Sequence, residues 1–385
     1  MYPTISDLLK DIFGINIPLP IQSFGFMLAI SFLCAAYTLQ LELKRKEKLG
    51  LMNPFYETVI TGEPASTFDL ISSFLLGFIF GYKLLFIALN YTSFVEDTQG
   101  ILLSAKGNIL GGLAVGLISA YLRYREKEKE RLAQPENVQV LMHPYQLVGN
   151  ITMVAAISGI IGAKVFHNLE NLNEFENHPL EALVSFSGLT MYGGLIFGCI
   201  SVMWYCNKRG IKPLVIADAT APGLMLAYGT GRLGCQIAGD GDWGIVNLNP
   251  KPSFLNWLPD WAWSYNYPNN VINEGMPIPG CIGKHCMMLP DAVFPTPLYE
   301  SVTCILLFFV IWSMRKRFDV VGKVFAFYLL LNGIERMLIE QIRVNNKFNF
   351  LGLQVTQAEV IAAILILIGA SGLIFLRSRK DAEAV

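Results

Sequence analysis

Arg232 stands in a long apolar stretch, with Gly231 before it and Gly234 shortly after. That stretch opens at Asp218 and runs on into Gly239-Asp240-Gly241-Asp242-Trp243-Gly244. A second apolar stretch carries Glu335, Arg336, Glu340 and Arg343, and a third begins at Tyr299-Glu300. An ionisable side chain at the centre of a bilayer costs on the order of 2.5–3.5 kcal/mol, so these charges need partners or a polar cavity. On a helix Arg336, Glu340 and Arg343 share one face. Arginine's planar fork binds phosphate through paired hydrogen bonds. The pattern points to a site for a phosphate-bearing ligand near one membrane face, with Asp240 or Glu340 available to accept a proton. Simpler readings stand beside it: Arg336 and Glu340 as a structural ion pair, Asp218 as the partner of Lys212, and Arg343 as a residue of the membrane edge.

No metal and no redox or organic cofactor is expected. The acidic run lacks the regularly spaced oxygen ligands of a calcium loop. Cys281 and Cys286 either close a disulfide, which an oxidising outer compartment allows, or join His285 in a metal site, for which four ligands are not evident nearby. The disulfide is the expectation taken forward. Cys34, Cys199, Cys206 and Cys304 fall in or beside apolar stretches and read as packing residues.

The elements that must position these groups are membrane helices. Of the 385 residues only 15% are charged and 53% are hydrophobic, whereas soluble domains carry about 25% charged residues. A helix crosses a bilayer with roughly 20 mostly apolar residues. Spans are expected at about 20–42, 67–90, 108–123, 146–167, 190–207, 214–237, 297–314, 323–343 and 357–376. The fold class is therefore an all-α polytopic membrane protein of about nine transmembrane helices, one integral membrane domain over 1–385. Residues 239–296, rich in Trp, Tyr, Pro and Asn, form a small irregular head on the outer face. Met1–Pro20 lacks a basic leader, so the first apolar run reads as a retained helix.

Most of the 29 basic residues fall in one alternate set of loops. These are Lys44, Arg45, Lys46 and Lys48, then Arg123 to Arg131, then Lys208, Arg209 and Lys212, then Arg315, Lys316, Arg317 and Lys323, and finally Arg377, Arg379 and Lys380. The other set holds Lys10, Lys106, Lys251, Lys284 and Lys347. The positive-inside rule then puts the N-terminus outside and the C-terminus in the cytoplasm. No nucleic-acid partner is expected.

Two stretches look alike at an offset of about 81 residues. Gly81-Tyr82-Lys83-Leu84 aligns with Gly162-Ala163-Lys164-Val165. Ser104, Gly107 and Gly111-Gly112-Leu113 align with Ser185, Gly188 and Gly193-Gly194-Leu195 after one gap. Residues 67–123 thus read as an inserted or duplicated helix pair. Small residues recurring where membrane helices pack closely would give the same pattern.

These motifs together resemble the prolipoprotein diacylglyceryl transferases. Gly231-Arg232-Leu233-Gly234 followed by the acidic run to Trp243-Gly244 is similar to the family's GRIGNFINGELWG signature. Cys235 stands where the signature has Asn and Asp240 where it has Glu, with one residue added before the Trp. Met191-Tyr192-Gly193-Gly194-Leu195-Ile196 resembles an FHGGLIG stretch with Tyr192 in place of the His. Pro295-Thr296-Pro297-Leu298-Tyr299-Glu300 resembles HPTQLYE with Phe294 for its His. Arg336 to Arg343 resembles an RFxxExxR run, and Ser23-Phe24-Gly25 a WYG. The likeness covers about 20–42 and 146–376.

The resemblance implies that phosphatidylglycerol donates a diacylglyceryl group to the lipobox cysteine of a prolipoprotein signal peptide, releasing glycerol 1-phosphate, in the bacterial plasma (inner) membrane. Membrane lipid is then both solvent and substrate. Arg232 would bind phosphate and Arg336 would be a second cation. Gly193, Gly194, Gly231, Gly234, Gly244, Tyr299 and Glu300 would line the substrate site. The base stays open among Tyr192, Asp240 and Glu340, since a phenol is a poorer base than an imidazole at neutral pH. The rival class is a secondary transporter of an anionic solute or lipid, suggested by Gly- and Pro-broken helices. It would give solute flux and no covalent product, and its inverted repeats do not match copies of one orientation. A structural scaffold leaves the intramembrane arginines unexplained.

Overall fold

The computed structural model describes residues 1–15, 21–96, 98–172, 190–350 and 352–376. The long helices are α1 (Ile5–Phe13), α2 (Ser23–Lys48), α3 (Thr67–Leu89), then the short α4 (Tyr91–Glu96) and α5 (Thr98–Leu103), α6 (Ile109–Lys129), α7 (Val148–Glu170), α8 (Met191–Asn207), α9 (Pro213–Ala238), α10 (Thr296–Met314), α11 (Lys323–Glu340) and α12 (Gln357–Phe375). Each expected span falls on one of these. Arg377, Arg379 and Lys380 of the charge count, Ser185 and Gly188 of the repeat, and the start of the first expected span lie outside the described residues. Among the described residues five helices are long and apolar enough to cross a membrane: α2, α3, α7 with the turn before it, α10 and α12. The others are 17 residues long (α8) or are diluted by charge and glycine (α6, α9, α11).

Local signals set the helix ends. α2 runs on to Lys48, with Arg45, Lys46 and Lys48 in its last turn, where cations complement the helix dipole. α9 starts on Pro213 and stops at Gly239, whose φ of 65° is the left-handed cap that glycine adopts freely. The amphipathic α1, closed by a Thr4–Asp7 capping box, has no counterpart among the expected elements.

The described residues divide into two compact units. The larger comprises Met1–Pro3, Gln22–Pro54 and His143–Val385. In it α9 packs on α2, α10 and α11, while α7 pairs with α8 and α11 with α12. Small residues permit the close approach: a Cβ on Gly234 would lie 2.9 Å from the Met27 Cβ, and one on Gly223 would lie 3.1 Å from the Ala35 carbonyl oxygen. Ala221, Met225, Cys304, Phe308, Ile311 and Val324 form the core between α9, α10 and α11.

Between α9 and α10 the chain makes only short turns and a two-residue hairpin. This head has its own core of Trp243, Tyr267, Leu289 and Val293. Its aromatics therefore divide by role. Trp243 and Tyr267 are buried, and the Tyr267 hydroxyl donates to Gln236 Oε1 at 2.7 Å, whereas Trp257 is 78% exposed. Cys281 and Cys286 are disulfide-bonded, as expected from their spacing and place in the head.

The smaller unit comprises Thr4–Ile21 and Phe55–Met142. Strands β1 (Phe55–Thr61) and β2 (Glu136–Met142) pair antiparallel across it, and α3 packs on α6. Lys83 of α3 donates to the carbonyl oxygens of Ile101 and Lys106, at 2.8 and 2.9 Å, and to that of Ser104. That satisfies a cation that the sequence places inside a span.

The α3–α6 and α7–α8 pairs cross alike. A Cβ on Gly81 would sit 2.3 Å from the Gly111 carbonyl oxygen, and one on Gly162 would sit 2.4 Å from that of Gly193. Further along, Gly112 faces Phe78 and Gly116 faces Phe74, while Gly194 faces Gly159 and Gly198 faces Ala155. At the helix ends Asn90 bonds back to the Phe86 carbonyl through its backbone and side-chain amides, as Asn171 does to that of His167.

A candidate active site gathered around Glu300

Glu300 lies one turn into α10, fully buried. A lone carboxylate there would be prohibitive, and three arginines from three chain segments answer it. Arg232 of α9 approaches Glu300 Oε2 with Nε at 2.8 Å. Arg343, just past α11, donates from Nη1 to Oε1 at 2.7 Å. Arg336 of α11 stands with Nη1 3.7 Å from Oε2. The Tyr228 hydroxyl, one turn before Arg232 on α9, donates to Oε2 at 2.6 Å.

A second tier of carboxylates holds the outer side of the arginines. Asp242 accepts from Arg343 Nη2 at 2.9 Å and is in direct ion contact with Arg232. Burial opposes charge on Asp242, yet Arg232 and Arg343 hold it below the usual carboxylate range. Glu340 faces Arg336 Nη2 at 3.0 Å and accepts from Asn345 at 2.5 Å. Two guanidinium N–H groups, Arg336 Nη1 and Arg343 Nε, are buried without a hydrogen-bond acceptor among the described residues. Glu335, also buried, has neither carboxylate oxygen hydrogen-bonded.

Backbone geometry brings the segments together. Gly244 donates to the Phe294 carbonyl at 2.9 Å, Ile245 donates to that of Ile342 at 2.9 Å, and Gly244 bridges to Arg343. A Cβ on Gly244 would stand 2.4 Å from the Ile342 oxygen, so only glycine allows this approach without backbone movement. The Thr296 hydroxyl donates to the Asp242 carbonyl at 2.8 Å, tying the acidic run to the start of α10.

Of the residues singled out in the sequence, Arg232, Glu300, Arg336 and Glu340 meet in this cluster. Others go elsewhere. Asp240 lies beside Cys235, and burial raises its carboxyl above the ordinary range; it is Asp242 that meets the arginines. Gly231 and Gly234 face α2 and leave the guanidinium side alone. Gly193 and Gly194 make the crossing with α7. Tyr192, half-buried at the start of α8, makes no hydrogen bond to the cluster among the described residues. The Tyr299 hydroxyl donates to the Ala262 carbonyl at 2.9 Å and anchors the head. Asp218 does not pair with Lys212. It pairs with Lys46 at 3.4 Å and accepts from the backbone N–H of Gly322 and Phe325, at 2.8 and 2.9 Å, because the free N–H groups at the start of α11 need a cap.

Sequence reasoning read Arg343 as a residue of the membrane edge, preferred Asp240 to Asp242 within the acidic run, and passed over Tyr228. Arg343's place in the same helical face as Arg336 was the available signal. A tyrosine within a span offers none, since packing alone accounts for it. Cys235, Asp240 and Asp242 offer metal-ligand atoms within 4.8 Å of one another. Arg232 and Arg343 already hold Asp242, and two guanidinium groups disfavour a further cation. The arrangement suits an anion: a phosphate reaching Arg336 Nη1 and Arg343 Nε would meet fixed donors, and charge developing on a departing phosphate would be stabilised there.

A family model described as Prolipoprotein diacylglyceryl transferase matches residues 129–375. Similar proteins include the phosphatidylglycerol–prolipoprotein diacylglyceryl transferase of Streptococcus uberis, 29% identical over 273 residues, covering 70% of this chain and 90% of that protein. Those of Clostridium tetani (27% over 256 residues, 66% and 87%) and Streptococcus pyogenes (28% over 280 residues, 72% and 90%) are comparably similar.

Proposed function

The chain belongs to the prolipoprotein diacylglyceryl transferase family, and we propose that it moves the diacylglyceryl group of phosphatidylglycerol onto the lipobox cysteine of prolipoprotein signal peptides. The sulfur attacks the glycerol carbon that bears the phosphate. A C–S thioether bond forms, the C–O bond to phosphate breaks, and glycerol 1-phosphate leaves with the bonding pair. The observation that carries this reading is the convergence of Arg232, Arg336 and Arg343 on buried Glu300, with N–H groups of Arg336 and Arg343 left without acceptors.

In this reading Glu300 fixes the arginine positions and does not react. Arg336 and Arg343 take the phosphate oxygens, and Arg232 completes the cationic wall. The same cations lower the pKa of the incoming thiol, since the thiolate is the nucleophile. Asp242, the half-exposed carboxylate of the cluster, is the exit for the thiol proton. Glu340 orients Arg336. Tyr192 binds headgroup oxygens at the entrance and is not the base. The transporter alternative gives way to family membership.

Nine crossings, an N-terminus outside and residence in the bacterial plasma membrane belong to the same proposal, supported by the one-sided distribution of basic residues. So does the reading of β1, α3 and α6 as a copy of β2, α7 and α8. The matched glycine crossings and the shared offset of about 81 residues support it. Leu110 stands where α8 has Tyr192, so the copy keeps the packing and lacks the hydroxyl.

Purified protein incubated with phosphatidylglycerol and a lipobox peptide should yield the thioether-linked diacylglyceryl peptide by mass spectrometry. Folded protein that forms no such product under these conditions overturns the assignment.

A further inference from the structure

We propose a second phosphate-binding site at the basic end of the helix bundle, on the opposite side of the membrane from the arginine cluster. Asp218 and Arg232 are both on α9, and at 1.5 Å per residue they lie about 21 Å apart along it. At the Asp218 end a cavity of about 450 Å³ opens between the C-terminal end of α2 and the loop joining α10 to α11. Arg45, Lys46 and Lys316 supply its basic lining against the carboxylates of Asp218 and Asp319, and leucines and valines of both segments form an apolar wall.

The local pairing leaves cationic donors unspent. Glu42, fully buried, is held by Arg45 Nε and Nη2 and by Arg315, which leaves Arg45 Nη1 without a partner among the described residues. The Lys46 side chain is 3% exposed and its ammonium has three N–H donors, yet its one hydrogen bond among the described residues is to Asp218 at 3.4 Å. Asp218 is meanwhile occupied by the two backbone N–H groups of α11. Lys316 is exposed and forms no ion pair among the described residues. A buried ammonium so poorly satisfied calls for an acceptor. A phosphate oxygen supplies one and also reaches Arg45 and Lys316. The apolar wall beside it fits the glycerol and first methylenes of a lipid, and basic pockets between membrane helices on the cytoplasmic side suit anionic headgroups.

Native mass spectrometry of the full chain in mixed phosphatidic acid and phosphatidylcholine micelles tests this. Phosphatidic acid should be retained by wild type at two places. Lys316→Gln should weaken one of them about fivefold, as loss of one basic residue near a lipid surface does. Lys316→Arg should restore it, and Arg232→Ala should weaken only the other. Excess inorganic phosphate separates the sources. If it empties the Lys316-dependent place, the site is a soluble phosphate site; if the lipid stays, it is a lipid site. Equal retention by wild type and Lys316→Gln, with both proteins folded by circular dichroism, overturns the proposal.

Discussion

Glu300 and Arg343 are 43 residues apart in the chain and 2.7 Å apart in space. Their pairing joins the first turn of α10 to the segment just beyond α11, and Asp242 on the acidic run closes the link from the other side of the guanidinium. The site therefore depends on a contact between segments that no local sequence pattern connects.

Arg343→Ala should abolish transfer while the protein still inserts. Removing one partner of a buried pair costs about 3–5 kcal/mol, and here Arg232 and Arg336 would be left to answer Glu300 and Asp242. A loss of that size in the transition state alone is a rate loss of more than about 100-fold. Arg343→Lys should recover little, because it cannot reach Glu300 and Asp242 together. Initial rates with the lipobox peptide decide; near-normal activity of the alanine variant would place Arg343 outside the chemistry.

Gly244→Ala and Gly231→Ala should differ sharply. The first Cβ would collide with the Ile342 oxygen, whereas the second would meet nothing nearer than the Ser31 Oγ at 3.8 Å. Displacement of the Arg343 segment by about 1 Å can cost about 100-fold in rate. Gly231→Ala should stay within a few-fold of wild type. Equal activities of the two variants, measured side by side, contradict the close approach.

Asp242 should make stability fall in acid. Its carboxyl is held below the ordinary range by Arg232 and Arg343 against the opposing effect of burial. A depressed folded-state pKa contributes stability above the unfolded value, about 3.9. That contribution disappears as pH falls through the folded value. Thermal unfolding followed from neutral pH to about pH 3 should show a steeper acid loss in wild type than in Asp242→Asn. Asp240→Asn should leave the acid limb intact, because burial shifts that carboxyl the other way. Superimposable curves for wild type and Asp242→Asn would rule the linkage out.

Tyr192→Phe should slow transfer by about 5- to 150-fold, the range for losing one hydrogen bond of about 1–3 kcal/mol, without moving the pH profile. The half-buried ring at the start of α8 has no hydrogen bond to the arginines among the described residues. A loss beyond about a thousandfold would instead make the hydroxyl the base.

The helices were readable because charge is expelled from spans and collects between them, and α9 and α11 stood out because they break that rule. Arg232, Arg336, Glu340 and Glu300 followed from the cost of burying charge. The partners of Arg343 were not legible, because depth along a helix does not reveal what the next segment brings alongside. The two-residue shift from Asp240 to Asp242 turns on two glycines at positive φ, Gly239 and Gly241. Such glycines re-aim side chains in ways that residue type alone does not encode. The β1–β2 pairing escaped notice because its partners lie far apart in sequence and both strands are largely exposed, leaving no clear alternation.

Glu300's central place also orders events during synthesis. Arg232 leaves the ribosome well before its buried counterion, and Arg343 comes later still. While α9 enters the membrane its guanidinium has only the nearby acidic run for company, and the neutralising carboxylate arrives with α10. Arg232 must therefore pass through part of its insertion without its main counterion, and a nascent chain stopped before Arg343 would hold most of its helices and an incomplete cluster. The ion-pair cluster is then complete only once the segment beyond α11 has docked.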